Sequence, residues 1–345
     1  MINVRLLLLL LLTCLGYCSA YAQQSPVEYN NSIVREIDPV QSASALYLDA
    51  ATHGRNAADA NAKLAAMVKA IDLARNHVAA IAPYKGYTAL RDSVVRYLNL
   101  GYTAASGFSG VLSEQDMLAL PYEKAKTYME TSDILNDKLT MVNKRIKKEQ
   151  ARFAEKNGFS IETEPKPLDE KLQEVKRVFA YYHSVFLVFF KCNKQEINFV
   201  DTLNDGNPKS LEQIRSILQR YTEEGLRRID TFHAYHNDAS LLTASKEALQ
   251  FYETEAKTKF PLIIDYFQKK DKYDRQSAAL KNIEPKDRTD KMIESYKANA
   301  KALNDAVEIY NSTNQELNTT RVAVVGKYNK ALADFLDRNA PRMTK

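Results

Sequence analysis

Apolar or small side chains recur near the C-terminus at Tyr296, Ala300, Leu303, Val307, Tyr310, Leu317, Val324, Tyr328, Ala331 and Phe335. Steps of three, four or seven place them on one stripe, so the spacing predicts a long helix burying a single seam. An earlier stretch carries the same register at Tyr128, Ser132, Leu135, Leu139, Val142, Ile146 and Phe153, an offset of 168 residues from Tyr128 to Tyr296. Helical periodicity also fills the intervals. Ile33, Ile37, Val40 and Tyr47 mark a first helix, which Pro39 either kinks or restarts with Asp38 as its cap. Leu64 to Ile81 marks a second, and Leu90 to Leu112 a third. A fourth begins after Pro121 and runs to Lys156.

The second half follows the same plan, with helices expected over about 174–203, 210–233 and onward from Asp238, and a last one from Thr289 or Asp290 to about Arg338. At an offset of 151, Met67 meets Leu218, Val78 meets Ile229, Ile81 meets Phe232, Tyr84 meets Tyr235, Leu90 meets Leu241 and Leu98 meets Leu249. This points to an internal duplication. The larger offset of the last helix then requires 17 extra residues, placed in the charged stretch 269–290. The expected architecture is all-α: two tandem antiparallel four-helix-bundle-like units with a long C-terminal helix. The expected division is 1–22 as a leader, 23–157 as the first bundle, 158–170 as a linker, 171–338 as the second bundle and 339–345 as a frayed tail.

Composition agrees with this picture. Only ten Gly and ten Pro occur in 345 residues, and 45% of residues are hydrophobic. The net charge of +5 comes from 48 basic and 43 acidic residues. The densest basic run, Lys144 to Lys148, fans around a helix and reads as a solvated face, so no nucleic-acid partner is expected.

The N-terminus predicts a compartment. A short basic opening precedes seven leucines, Leu6 to Leu12, and Ala20-Tyr21-Ala22 gives an A-x-A cut after Ala22. This reads as a secretory signal, with the mature chain in the periplasm, on the outer surface or secreted. Cys14 and Cys18 raise a lipid anchor, but Thr13 and Tyr17 stand where a lipoprotein signal carries a small residue. The membrane association expected is therefore peripheral at most. After the cut only Cys192 remains, on an apolar run, and it reads as a buried thiol.

Signatures for chemistry are absent from the sequence. There is no C-x-x-C-H, H-E-x-x-H, P-loop, G-x-G-x-x-G or G-x-S-x-G, and no His has Glu three residues before it. No catalytic residue, metal or cofactor is expected. The candidate ligand-binding residues are His233, Tyr235 and His236 at one turn, flanked by Asp230 and Asp238, and Asn314 and Arg321 on the final seam. His with carboxylate suits zinc, but the same residues suit a helix end. Asn314 and Arg321 stand where the 168 offset puts Ile146 and Phe153, and either fix register or line a cavity.

With its A-x-A leader followed by Gln23-Gln24 and its paired helical units, the chain resembles exported all-helical surface proteins of Bacteroidetes and spirochaetes. That resemblance implies a place in the cell envelope and no known activity. The duplicated plan also resembles imelysin-like proteins, whose G-x-H-x-x-E signature is absent here; His53 precedes Gly54. The functional expectation is a non-enzymatic scaffold or partner-binding module with a protein partner. The alternative is a small-ligand-binding protein with a cavity between helices.

Overall fold

The computed structural model describes residues 24–54, 57–107, 119–161 and 167–343. The leader, its cut after Ala22, Cys14 and Cys18 lie outside the described residues. The fold is all-α, with no strand among the described residues. In order these are α1 (Pro26–Arg35), α2 (Ile37–His53), α3 (Ala57–Ala80), α4 (Ala89–Gly107), α5 (Tyr122–Lys156), α6 (Pro167–Thr202), α7 (Pro208–Ile229), α8 (Ser240–Thr254), α9 (Phe260–Lys281) and α10 (Asp290–Asn339). Described residues within Met1–Val111 and Ile134–Lys166 make one compact unit, and those within Leu112–Asp133 and Pro167–Met343 make the other.

Local chemistry sets the helix starts. Ser25 accepts from the Glu28 amide while the Glu28 side chain accepts from the Ser25 amide, a capping box with Pro26 at the first helical position. Asn207 accepts from Lys209 and Ser210 ahead of α7, and Thr289 caps α10 through Met292. At Pro39 the chain restarts, but the cap position is Glu36 and Asp38 lies inside α2. A proline in the first turn costs no hydrogen bond, so the break falls before it. For the same reason α6 begins at Pro167, inside the stretch the sequence assigned to a linker.

One irregularity has a clear cause. Residues 240–281 form one helical run interrupted by a π segment, Glu255–Lys259, where the Phe260 amide donates to the Glu255 carbonyl five residues back. Pro261 follows immediately and has no amide to give to the preceding turn, so the ladder shifts by one residue there.

The two units enclose the same aromatic arrangement. In the first, Tyr29, Tyr84 and Phe153 lie 5.2–5.8 Å apart by ring centroid. In the second, Tyr181, Tyr235 and Phe335 lie 5.1–5.8 Å apart. Each triad packs on a turn with two consecutive positive-φ residues, Lys85 and Gly86 (47° and 79°) in one, His236 and Asn237 (46° and 69°) in the other. That is the type I′ geometry, closed by Tyr84–Tyr87 and Tyr235–Asp238 backbone pairs. The Tyr29 hydroxyl donates to the Tyr87 carbonyl at 3.3 Å, and Tyr181 donates to His233 at 2.9 Å.

In each unit the phenylalanine of the triad comes from a long helix, Phe153 from α5 and Phe335 from α10, and meets that unit's own turn. A heptad seam looks the same after every seven residues, so only a contact with a fixed turn can anchor it. α9 and the start of α10 pack together through Tyr273–Tyr296 (hydroxyls 2.7 Å apart) and Tyr266–Tyr310 (centroids 4.4 Å). Pairs one turn apart, such as Lys270–Asp274, line the exposed face. Residues 340–343, within the stretch expected to fray, are packed: Ala340 and Met343 are buried, and Lys171 donates to the Arg342 carbonyl at 2.7 Å.

Truncating the ring at the centre of either triad should be costly. Phe335→Ala and Phe153→Ala are each expected to lower stability by about 3–5 kcal/mol in urea titrations followed by circular dichroism. A change below about 1 kcal/mol would mean that the triads are not core anchors.

Candidate functional site

In the second unit, three apolar stripes each carry one charged residue. On α6, Val185, Phe189, Cys192, Glu196 and Phe199 follow steps of four and three, and all five are buried. On α8 and the π segment, Leu241, Ala248, Tyr252 and Glu255 are likewise buried. On α10, Arg321 falls between the buried Leu317 and Tyr328. Packing these stripes together brings Glu196, Glu255 and Arg321 into contact.

The geometry is a shared ion pair. Arg321 Nη2 donates to Glu255 Oε1 at 2.9 Å, and Arg321 Nε approaches Glu196 Oε1. The carboxylates are 1% exposed and the guanidinium side chain 19%. A second arginine bond, 2.7 Å to Asn318 Oδ1, points toward the surface. Behind the trio, Asn193 Nδ2 donates to the Tyr252 hydroxyl at 2.9 Å, and the Phe189 ring stacks on Tyr328 at 3.6 Å.

Two acids facing one base leave a charge deficit. Glu196 Oε2 and Glu255 Oε2 have no hydrogen-bond partner among the described residues. Burial raises the proton affinity of both carboxyls; for Glu255 the charge of Glu196 adds to this, and Arg321 opposes it. Both carboxyls are therefore pushed toward their protonated forms. Burial, with Glu196 beside it, also keeps the Tyr252 phenol protonated.

A cleft opens beside Glu255. It encloses about 270 Å³, and its walls include Phe251, Thr254, Leu317 and Thr320, with the Lys259–Glu316 ion pair (2.7 Å) also lining it. The π segment lies along it, and such bulges often mark functional positions because they re-aim a side chain.

Among the described residues of the first unit no acidic side chain is buried.

The structure separates the residues named from sequence. Arg321 lies in the buried centre. Asn314 lies half-buried two turns earlier, beside the buried Thr313. Tyr235 and His236 belong to the type I′ turn, and His233 lies two residues before it. His233 and His236 are exposed, and the His236 ring stacks on Tyr235 at 4.5 Å. Tyr235 donates to Glu174 at 2.6 Å, and Asp230 pairs with Lys246. Asp238 accepts from Arg338, Asn339 and Ser240, bonds that hold its carboxyl at about 2 against the opposing effect of burial. Among the described residues no group of three His, Cys, Asp or Glu side chains could hold a metal ion. Glu196 and Glu255 were not picked out from sequence. The signal was available: each is a lone acid on an apolar stripe, and Pro261 sits inside a helical run.

The chain matches no family model, no curated protein and no solved structure. What the fold defines is an all-α helical protein with a buried, charge-imbalanced centre in its second unit.

Removing the single base should expose the imbalance. Arg321→Met is expected to cost about 3–5 kcal/mol at neutral pH, partly recovered near pH 4 where both carboxyls take up protons. Glu255→Gln should behave differently. A carboxyl whose folded proton affinity is raised contributes stability below its ordinary value of 4.5 that is lost as pH rises above it. Urea titrations across pH 4–8 should therefore show wild-type stability falling with pH more steeply than that of Glu255→Gln. Equal slopes would overturn the raised proton affinity of the Glu255 carboxyl.

Proposed function

We propose that this chain is an exported, non-enzymatic binding protein of the cell envelope whose second unit holds a small ligand between its helices. One observation carries the reading: Glu255, wholly buried, lines a cleft of about 270 Å³ and keeps an oxygen without a hydrogen-bond partner. Proteins rarely leave such a group unsatisfied in a core, because its desolvation is not repaid. A site built to take a ligand is a reason to keep one.

Other features support the same reading. The leucine-rich leader with its A-x-A pattern supports export, as does the resemblance to envelope surface proteins. The shared triads and type I′ turns support two copies of one helical unit, and a charged centre found, among the described residues, in the second alone supports a role acquired there. Nucleophile, metal and cofactor motifs are absent from the sequence, which favours binding over catalysis. A scaffold role is favoured by Ile134 and Met141, one heptad apart on α5 and 54% and 71% exposed, a spacing that suits a partner helix.

The test is native mass spectrometry of the protein purified from its own source cells. A stoichiometric small-molecule adduct, lost on unfolding and from the Glu255→Gln variant, is expected. Repeated isolation of adduct-free protein, together with stoichiometric capture of a helical partner through α5, would replace the ligand reading with the scaffold.

A further inference from the structure

The basic run of α5 has a more particular setting than a merely solvated face. Ile146 and Phe153 pack α5 against the core of the first unit. Turned away from that contact are Ile134, Lys138, Met141, Arg145 and Lys148, spaced four, three, four and three, and all exposed. Lys144 and Lys147 are exposed beside this stripe.

The bases here lack the partners that bases elsewhere have. On α9 and α10 exposed lysines pair with an acid one turn away, as in Lys270–Asp274 and Lys330–Asp334. On α5, Lys138, Lys144, Lys147 and Lys148 have no acid three or four residues to either side. Arg145 has Glu149, but that carboxylate accepts from Arg152 at 3.0 Å instead. Among the described residues none of these five bases makes an ion pair. Asp137 is the one acid between Ile134 and Lys148, so five positive charges against one leave an excess of four.

Two large apolar side chains interrupt this unpaired charge. Ile134 and Met141 alone would suit a partner helix, but such a helix would have to cover Lys138, Arg145 and Lys148 on the same stripe. Burying three unpaired cations is costly. At a bilayer interface the same side chains have somewhere to go: long basic stems extend to lipid phosphates while apolar neighbours enter the acyl boundary. We propose that this face of α5 seats the protein peripherally on an anionic bilayer surface, with Ile134 and Met141 inserted and the five bases on phosphates. No helix among the described residues is long and apolar enough to cross a membrane, which agrees with attachment from one side. The inference goes beyond the ligand reading and stands whether or not the second unit holds a ligand.

The experiment is co-sedimentation of the chain from Gln23 onward with vesicles of phosphatidylethanolamine containing about one-third phosphatidylglycerol, and with vesicles of phosphatidylcholine alone. Saturable binding to the anionic vesicles only is expected, weakened about tenfold or more between about 50 mM and about 0.5 M salt. Lys144→Glu/Lys148→Glu should weaken it by about tenfold or more. Lys297→Glu/Lys301→Glu, the same charge change at exposed positions of α10, should leave it within about twofold. Met141→Ser, which alters no charge, should weaken it about threefold or more. All five positions are exposed, so the helical spectrum of each variant should be unchanged. Equal losses in the two double variants would reduce the binding to net charge and overturn the assignment to α5. Unaltered binding by Met141→Ser would overturn insertion, and duplex DNA bound more tightly than the vesicles would overturn the lipid class. Failure to bind anionic vesicles would sink the inference outright, and capture of an acidic protein helix by α5 would then give this face to a protein partner.

Discussion

Everything distinctive in the second unit hangs on burying one continuous stripe of α10. That stripe meets α9 at Tyr296 and Tyr310, passes Glu255 at Arg321, stacks Tyr328 on Phe189 and ends with Phe335 against Tyr181 and Tyr235. Burying it supplies most of the apolar driving force that orders fifty residues of helix, since isolated helices gain little from propensity alone. The constraint is strict because the stripe is narrow. A residue that falls on it must be apolar or must find its partner inside.

Arg321 takes the second course, and Glu196 and Glu255 answer it. A buried ion pair seldom adds stability over an apolar replacement, since desolvating the charges offsets their attraction. The first unit does without one: among its described residues no acidic side chain is buried. Stability therefore gives no reason for the second unit to carry two acids and a base. The partnerless carboxylate oxygens and the adjoining cleft give a functional one. The π segment belongs to the same account: Pro261 enforces it, and Glu255 is its first residue.

The two type I′ turns show how local and tertiary effects combine. Positive φ at two successive residues is easily met by Gly86 and Asn237, and Lys85 and His236 accept it under strain. Tyr29 and Tyr181 reach those turns with a hydroxyl while their rings pack against a phenylalanine from the last helix of each unit. The exposed histidines of the second turn are explained by this arrangement, as residues of a connection whose polar bonds run mainly through Asp238 and Tyr235.

Much of the fold was legible in the amino-acid sequence. Local sequence marked the all-α class, the start of α5 after Pro121 and a cap for α10 at Thr289 or Asp290, of which the structure uses Thr289, because these depend on residues within a turn or two of one another. Of the centre, only Arg321 was legible, as a charge on a seam. Its partners come from positions 66 and 125 residues away, and no local pattern links them. Which turn the final helix packs on was likewise beyond the sequence, since a seven-residue repeat matches itself at every heptad until a contact fixes it. Spacing determined that a stripe would be buried; packing alone decided which charges meet on it.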